Sequence, residues 1–249
     1  MKYKHLFFDL DRTLWDFDHN THQALLSIYH KYNLSEIIGN ADLFINTFRK
    51  HNEQMWNAYR RGDINKTKLR EARFYKTLLE FNINDSDLAI KMDNDYISIS
   101  PNNTVLIPHA TDILEYLYKR YNLFILTNGF KESQIRKLQN SKIFNFFKEV
   151  FTSDGLQALK PNNKIFHLAL SSVNAKKNES IMIGDDLYID IIGAREYGID
   201  QVYFNPYKNI SFLHFTIFFF KKNLFPYYQI KRKKILVKVR VFKMVRVIA

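Results

Sequence analysis

Four short apolar runs, separated by stretches of helical periodicity, constrain this chain most. They are Leu6–Phe8, Leu123–Leu126, Val150–Phe151 and Ile181–Ile183, each followed by polar or turn residues. Ile113, Leu114 and Leu117 recur at helical spacing before the second run. Ile165, Phe166, Leu168, Ala169 and Leu170 do so before the fourth. Strands alternating with helices predict an α/β fold, a doubly wound (Rossmann-like) parallel sheet with helices on both faces. Ligands of such sheets bind beyond the carboxyl ends of the strands. Asp9, Thr127 and Asp185 each follow such an end, so the pattern brings three distant polar residues to one rim.

The stretch from 16 to 100 differs, with helical periodicity and few strand signals. Ala24, Leu25, Ile28 and Tyr29 mark one helix. Phe44, Phe48, Met55, Trp56 and Tyr59 mark a second, and Leu69, Phe74, Leu78 and Leu79 a third. Asp85-Ser86-Asp87 has the residues of a cap before a fourth. An all-helical insert after the first strand reads as a lid over the rim, with an ordinary helical subdomain as the alternative. The cap aromatics read as core, while Trp15 and Phe17, just past the first strand, are better placed to touch a substrate.

Acids carry the chemistry. Asp9 and Asp11 flank Leu10 at the end of the first strand, where residues two apart point the same way. Two carboxylates can then face one pocket and share a hard cation such as Mg²⁺, which prefers oxygen ligands. Asp185 and Asp186 close the fourth strand, and Asp190 follows near the start of a helix. One Asp-x-Asp is a common turn or cap. Two acidic clusters at the ends of apolar strands are a stronger signal, because buried charges are costly without a cation or a reaction that uses them. Thr127-Asn128-Gly129 offers a hydroxyl and backbone N–H groups before a helix, which can cradle a phosphate or simply turn the chain. Lys160-Pro161 adds a cation on a constrained turn.

The order Asp9-Leu10-Asp11-x-Thr13, Thr127-Asn128, Lys160-Pro161 and Gly184-Asp185-Asp186-x-x-x-Asp190 resembles the four motifs of the haloacid dehalogenase superfamily. The helical insert resembles that superfamily's C1 cap. The longer strings Asp9 to Phe17 and Leu126 to Phe130 resemble the YjjG-type pyrimidine 5′-nucleotidases more narrowly. The resemblance implies a core of 1–15 and 101–210 with a cap of 16–100. It implies Asp9 as nucleophile, forming an aspartyl-phosphate, and Asp11 as acid and base. Mg²⁺ would be held by the Asp9 carboxylate, the Asp11 backbone carbonyl and Asp185, with Asp186 and Asp190 in support. Thr127, the Asn128 backbone and Lys160 would hold the phosphoryl oxygens. A halide leaves without a proton, so the second aspartate favours phosphoryl transfer over dehalogenation. Arg12 departs from the pattern, since most of the superfamily has glycine there, and its side chain must point away from the phosphate or crowd it.

Composition narrows the partners. No cysteine is present, which excludes disulfides and thiolate chemistry. Met1 to His5 run into the first strand without a signal peptide, and no apolar run is long enough to cross a bilayer. The expectation is a cytoplasmic enzyme. The eight histidines lack metal-binding spacing, and no glycine-rich nucleotide loop occurs. The net charge of +12 is local: residues 1–210 hold 27 Lys or Arg against 25 acids, a net of +2. Residues 211–249 hold ten Lys or Arg and no acid.

That tail has three readings: a basic arm for nucleic acid or membrane, an added structure with a strand at Ile235–Val247, or a shifted reading frame. The abrupt loss of acids favours the third. The functional reading is therefore a Mg²⁺-dependent phosphatase of small phosphomonoesters, a nucleoside 5′-monophosphate first. A sugar-phosphate phosphatase or phosphomutase is the alternative. A tail-driven nucleic-acid or membrane binder with an inactive core is a further one, and nucleic acid is not expected at the core itself. Oligomeric state is not legible.

Overall fold

The computed structural model describes residues 2–205 and 216–219. In chain order the elements are β1 (His5–Phe8), α1 (Phe17–Lys31), α2 (Ala41–Arg61), α3 (Lys66–Leu79), α4 (Ser86–Ile99), α5 (Ala110–Leu117), β2 (Asn122–Thr127), α6 (Lys131–Asn140), β3 (Glu149–Thr152), α7 (Ser153–Leu156), α8 (Asn163–Ser172), β4 (Ser180–Gly184), α9 (Gly193–Tyr197), β5 (Asp200–Asn205) and β6 (Thr216–Phe219). A π-type turn, Leu187–Ile192, leads into α9.

The strands form one sheet in the order β3-β2-β1-β4-β5-β6, parallel throughout except for the antiparallel β6. This is the doubly wound fold the strand–helix alternation predicts. β4 is buried at every residue, so it reads as a continuous apolar run, as a strand covered on both faces must. Side chains alternate between the faces. On one face Phe7, Phe124, Leu126, Phe151 and Met182 pack against Ile165, Phe166, Ala169 and Leu170 of α8 and Ala194 of α9. Phe7 and Phe124 lie in register on β1 and β2, their rings stacked at 5.0 Å. Such aromatic cross-strand pairs fix the register, because a one-residue slip of either strand would turn its ring to the other face.

The chain divides into two compact units: residues up to Asp16 with those from Val105, and residues Phe17–Thr104. The second unit is all helical. Its core joins Ala24, Leu25 and Ile28 of α1, Phe44, Ile45 and Phe48 of α2, Phe74 and Leu78 of α3, and Ala89, Met92 and Tyr96 of α4. The helix starts are capped: Asn40, Asn65 and Asp85 accept hydrogen bonds from Leu43, Lys68 and Leu88. Each cap satisfies an N–H the helix itself leaves open. The predicted faces need two adjustments. Leu79 is exposed, and Trp56 and Tyr59 are half-buried and stack edge-on at 5.7 Å, whereas Phe44 and Phe48 are fully buried.

β5 has no counterpart among the four predicted runs. Only Gln201 and Val202 are buried along it, which leaves a weak apolar signal. The tail readings fall outside the described residues, apart from the four of β6.

Candidate active site

Parallel register builds the site. Phe8 pairs with Ile125 on one side and Ile183 on the other, so β1, β2 and β4 end on one level. The Asp9 N–H donates to the Ile183 carbonyl at 2.8 Å and carries that register one residue further. Asp9, Asp185 and Asp190 each present a carboxylate oxygen within 4.8 Å of the others. The Lys160 Nζ lies 2.7 Å from Asp9 Oδ1 and 2.7 Å from Asp190 Oδ1. Lys160 is 1% exposed, so this ammonium is desolvated and serves two carboxylates.

Asn128 holds that lysine in place. Its side chain accepts from the Lys160 N–H at 2.8 Å and donates to the Lys160 carbonyl at 2.9 Å. The Ser153 hydroxyl donates to the Asn128 carbonyl at 2.8 Å. Thr127 accepts at Oγ1 from Gln134 Nε2 (2.7 Å) and from the Gly129 N–H (3.1 Å). With both lone pairs engaged, its hydroxyl proton is free to donate outward. Asp186 acts as a cap, accepting from the N–H groups of Tyr188 and Ile189 at 2.9 Å each. Asp190 Oδ2 accepts from the Asp186 N–H at 3.1 Å. A side chain at Gly184 would collide with Asp190, so the bare backbone there lets that carboxylate reach the strand end.

The Asp11 carboxylate does not join this trio. It turns to α6, where Lys137 Nζ lies 2.6 Å from Oδ1 and Gln134 Nε2 donates to Oδ2 at 3.0 Å. Its expected tie to a metal runs through the backbone carbonyl, not through this carboxylate. Gln134 and Lys137 are absent from the predicted site. Their signal is faint: two polar residues three apart, on one face of the helix that follows the Thr127 turn. Trp15, read as a substrate neighbour, is fully buried beneath the Lys137 ammonium, 4.3 Å from the ring centroid. Its place just past the first strand suggests contact with substrate, but the ring fills the core. Arg12 has φ 63°, the left-handed conformation that suits glycine, and there any other residue is strained by about 1–2 kcal/mol. Its charge acts on Asp185.

Three carboxylates this close repel one another. Burial raises the Asp9 carboxyl to about 7, with Lys160 pulling it down and Asp190 and Asp11 pushing it further up. Burial, then the charges of Asp9 and Asp190, raise Asp185 to about 8, against the pull of Arg12. Burial raises Asp190 as well, against Lys160. Burial would lower Lys160, but the Asp190 and Asp9 carboxylates outweigh it and hold the lysine above its ordinary value. The donor set is all hard oxygen, crowded and short of positive charge, which fits a divalent cation such as Mg²⁺.

A pH dependence follows. Asp9 and Asp185 bind protons more tightly folded than unfolded, where an aspartate titrates near about 4. Their contribution to stability is fully present below about pH 4 and is lost as pH rises through about 7 and 8. The melting temperature of chelated protein is therefore expected to fall from about pH 5 to about pH 8. Excess Mg²⁺ is expected to raise it more at the higher pH, and thermal melts at both values check this. An equal Mg²⁺ shift at the two would contradict the account.

The family model for haloacid dehalogenase-like hydrolases matches residues 6–204. The chain belongs to this family. It is an enzyme of hydrolase type, and its relatives agree. It is 29% identical to the pyrimidine 5′-nucleotidase PynA of Streptococcus pneumoniae, over 83% of this chain and 86% of that protein. It is 26% identical to the pyrimidine 5′-nucleotidase YjjG of Escherichia coli, over 83% and 88%. Among solved structures it is similar to the putative HAD-hydrolase YfnB of Bacillus subtilis bound to magnesium, with a TM-score of 0.78 and 25% identity, covering 85% of this chain and 92% of that one. No helix among the described residues is long and apolar enough to cross a membrane.

Proposed function

We propose that the protein is a Mg²⁺-dependent phosphomonoester hydrolase that works through an aspartyl-phosphate and acts on nucleoside 5′-monophosphates, pyrimidine ones first. The observation that carries this reading is the buried Asp9 carboxylate at the sheet rim, 2.7 Å from the Lys160 ammonium and grouped with Asp185 and Asp190. Asp9, Asp185 and the Asp11 carbonyl, supported by Asp190, would hold the Mg²⁺. When bound, the ion offsets the repulsion between an anionic nucleophile and an anionic ester.

The chain's own groups do the rest. An Asp9 oxygen forms a bond to phosphorus as the bond from phosphorus to the leaving oxygen breaks. Asp11 gives its proton to that oxygen. Water then attacks phosphorus, its proton passes to Asp11, and the bond from phosphorus to Asp9 breaks to release phosphate. The Thr127 hydroxyl, the Asn128 N–H and the Lys160 ammonium would bind phosphoryl oxygens as charge shifts among them.

The nucleotide reading draws on the named activities of PynA and YjjG. A second reading, a phosphatase of sugar or triose phosphates, draws on a 39% identity to the glyceraldehyde 3-phosphate phosphatase of Pyrococcus furiosus, confined to 39% of the chain. Phosphate release from a panel of nucleotides and sugar phosphates, with Mg²⁺ and with chelator, tests both. The expected result is Mg²⁺-dependent release, fastest from a pyrimidine nucleoside 5′-monophosphate. A sugar phosphate at the head of the ranking would favour the second reading, and no release from any ester would overturn the hydrolase mechanism.

A further inference from the structure

We propose that Gln134 and Lys137, three residues apart on α6, are positioning residues that hold the Asp11 carboxyl for proton transfer to the departing oxygen. The inference rests on the aspartyl-phosphate reading above and assigns a task to two residues outside the four motifs.

Each Asp11 oxygen has its own donor: Lys137 Nζ at 2.6 Å from Oδ1, and Gln134 Nε2 at 3.0 Å from Oδ2. Two donors on two oxygens fix the plane of the carboxyl as well as its distance. Both donors are themselves confined. Gln134 is 1% exposed and Lys137 6% exposed, unusual for residues of a helix that borders solvent. The Lys137 ammonium rests over the buried Trp15 ring, so an aromatic face holds it from the other side.

The amide of Gln134 spans two functional groups. Its nitrogen donates both to Asp11 and to the Thr127 hydroxyl. Turned over, its carbonyl would face the Asp11 and Thr127 oxygens, so these two acceptors set the orientation. That orientation has a visible cost: Gln134 Oε1 is buried and has no hydrogen-bond partner among the described residues. Gly129 makes room for it, since a side chain there would collide with the Gln134 amide. One helix thus sets the spacing between the group that would touch the phosphoryl oxygens and the group that would protonate the leaving oxygen.

Leaving-group dependence tests the idea. p-Nitrophenolate departs without a proton, whereas an alkoxide needs one. Lys137→Met keeps the stem over Trp15 and removes the charge. It is expected to lower kcat on an alkyl phosphomonoester about tenfold or more, part of the range that general acid catalysis spans. On p-nitrophenyl phosphate the loss is expected to stay within about threefold, with KM unchanged on both. Lys137→Arg, which retains the cation, is expected to recover most of the loss. Gln134→Met should move the same ratio and reads it should Lys137→Met not fold. Equal losses on the two esters, or no loss on either, would overturn the positioning role. Failure of the unsubstituted protein to hydrolyse either ester would instead overturn the proposed function itself.

Discussion

Asp9→Asn is expected to lower turnover by about 10⁴-fold or more while leaving the fold intact. The amide has nearly the shape of the carboxylate but is a poor nucleophile, and it cannot carry the negative charge that attacks phosphorus. The fold should survive because Lys160 keeps its second partner, Asp190, at 2.7 Å. The substitution also takes one charge out of a trio whose members lie within 4.8 Å of one another. The metal-free variant is therefore expected to melt no lower than the parent at neutral pH, and higher where the repulsion is strongest. Steady-state rates beside thermal melts check both halves. Turnover near that of the parent would remove Asp9 from the mechanism, and a large drop in melting temperature would contradict the repulsion assigned to the rim.

Lys160→Met is expected to be the most damaging single change to stability. The ammonium is buried, and both of its carboxylate partners are buried with it. Removing one member of such a set leaves charge uncompensated in a poorly solvated place, at about 3–5 kcal/mol. Typical domains are stable by only about 5–15 kcal/mol, so the loss would be a large share of the total. The penalty should shrink as pH falls below about 7, where the raised Asp9 and Asp185 carboxyls are protonated in the folded state. Added Mg²⁺ should restore part of the stability. It should not restore turnover, because the proposed role of Lys160 in binding the phosphoryl group is lost, about 10²–10³-fold. Urea unfolding at neutral and acid pH, with and without Mg²⁺, gives the comparison. A change within about 1 kcal/mol at neutral pH would mean that the lysine does not neutralise the trio.

The legible parts of this protein share one cause. β1, β2 and β4 are covered on both faces, so Leu6–Phe8, Leu123–Leu126 and Ile181–Ile183 stand out as unbroken apolar runs. Acids directly after such runs conflict with burial, and that conflict singles out Asp9 and Asp185 in the amino-acid sequence itself. β5 is not legible there, because Asp200, Gln201 and Asn205 give it a polar outline. It holds its place through pairing with β4, a tertiary effect. Gln134 and Lys137 are hidden for a related reason. Each is a residue type normally found in solvent, and only the fold brings them to Asp11, more than a hundred residues earlier in the chain. Sequence alone also does not tell a residue that touches substrate from one that supports it, as Trp15 illustrates: fully buried, it serves as a platform for Lys137.

The central claim is that the Asp9 carboxylate takes the phosphoryl group. Acid quench during turnover of a good substrate, followed by mass analysis of the intact protein and its peptides, tests it most directly. The account predicts one phosphoryl group per chain, lodged on the peptide that contains Asp9 and missing in Asp9→Asn. Full turnover with no phosphoryl group on the protein, or with one on a different side chain, would contradict it.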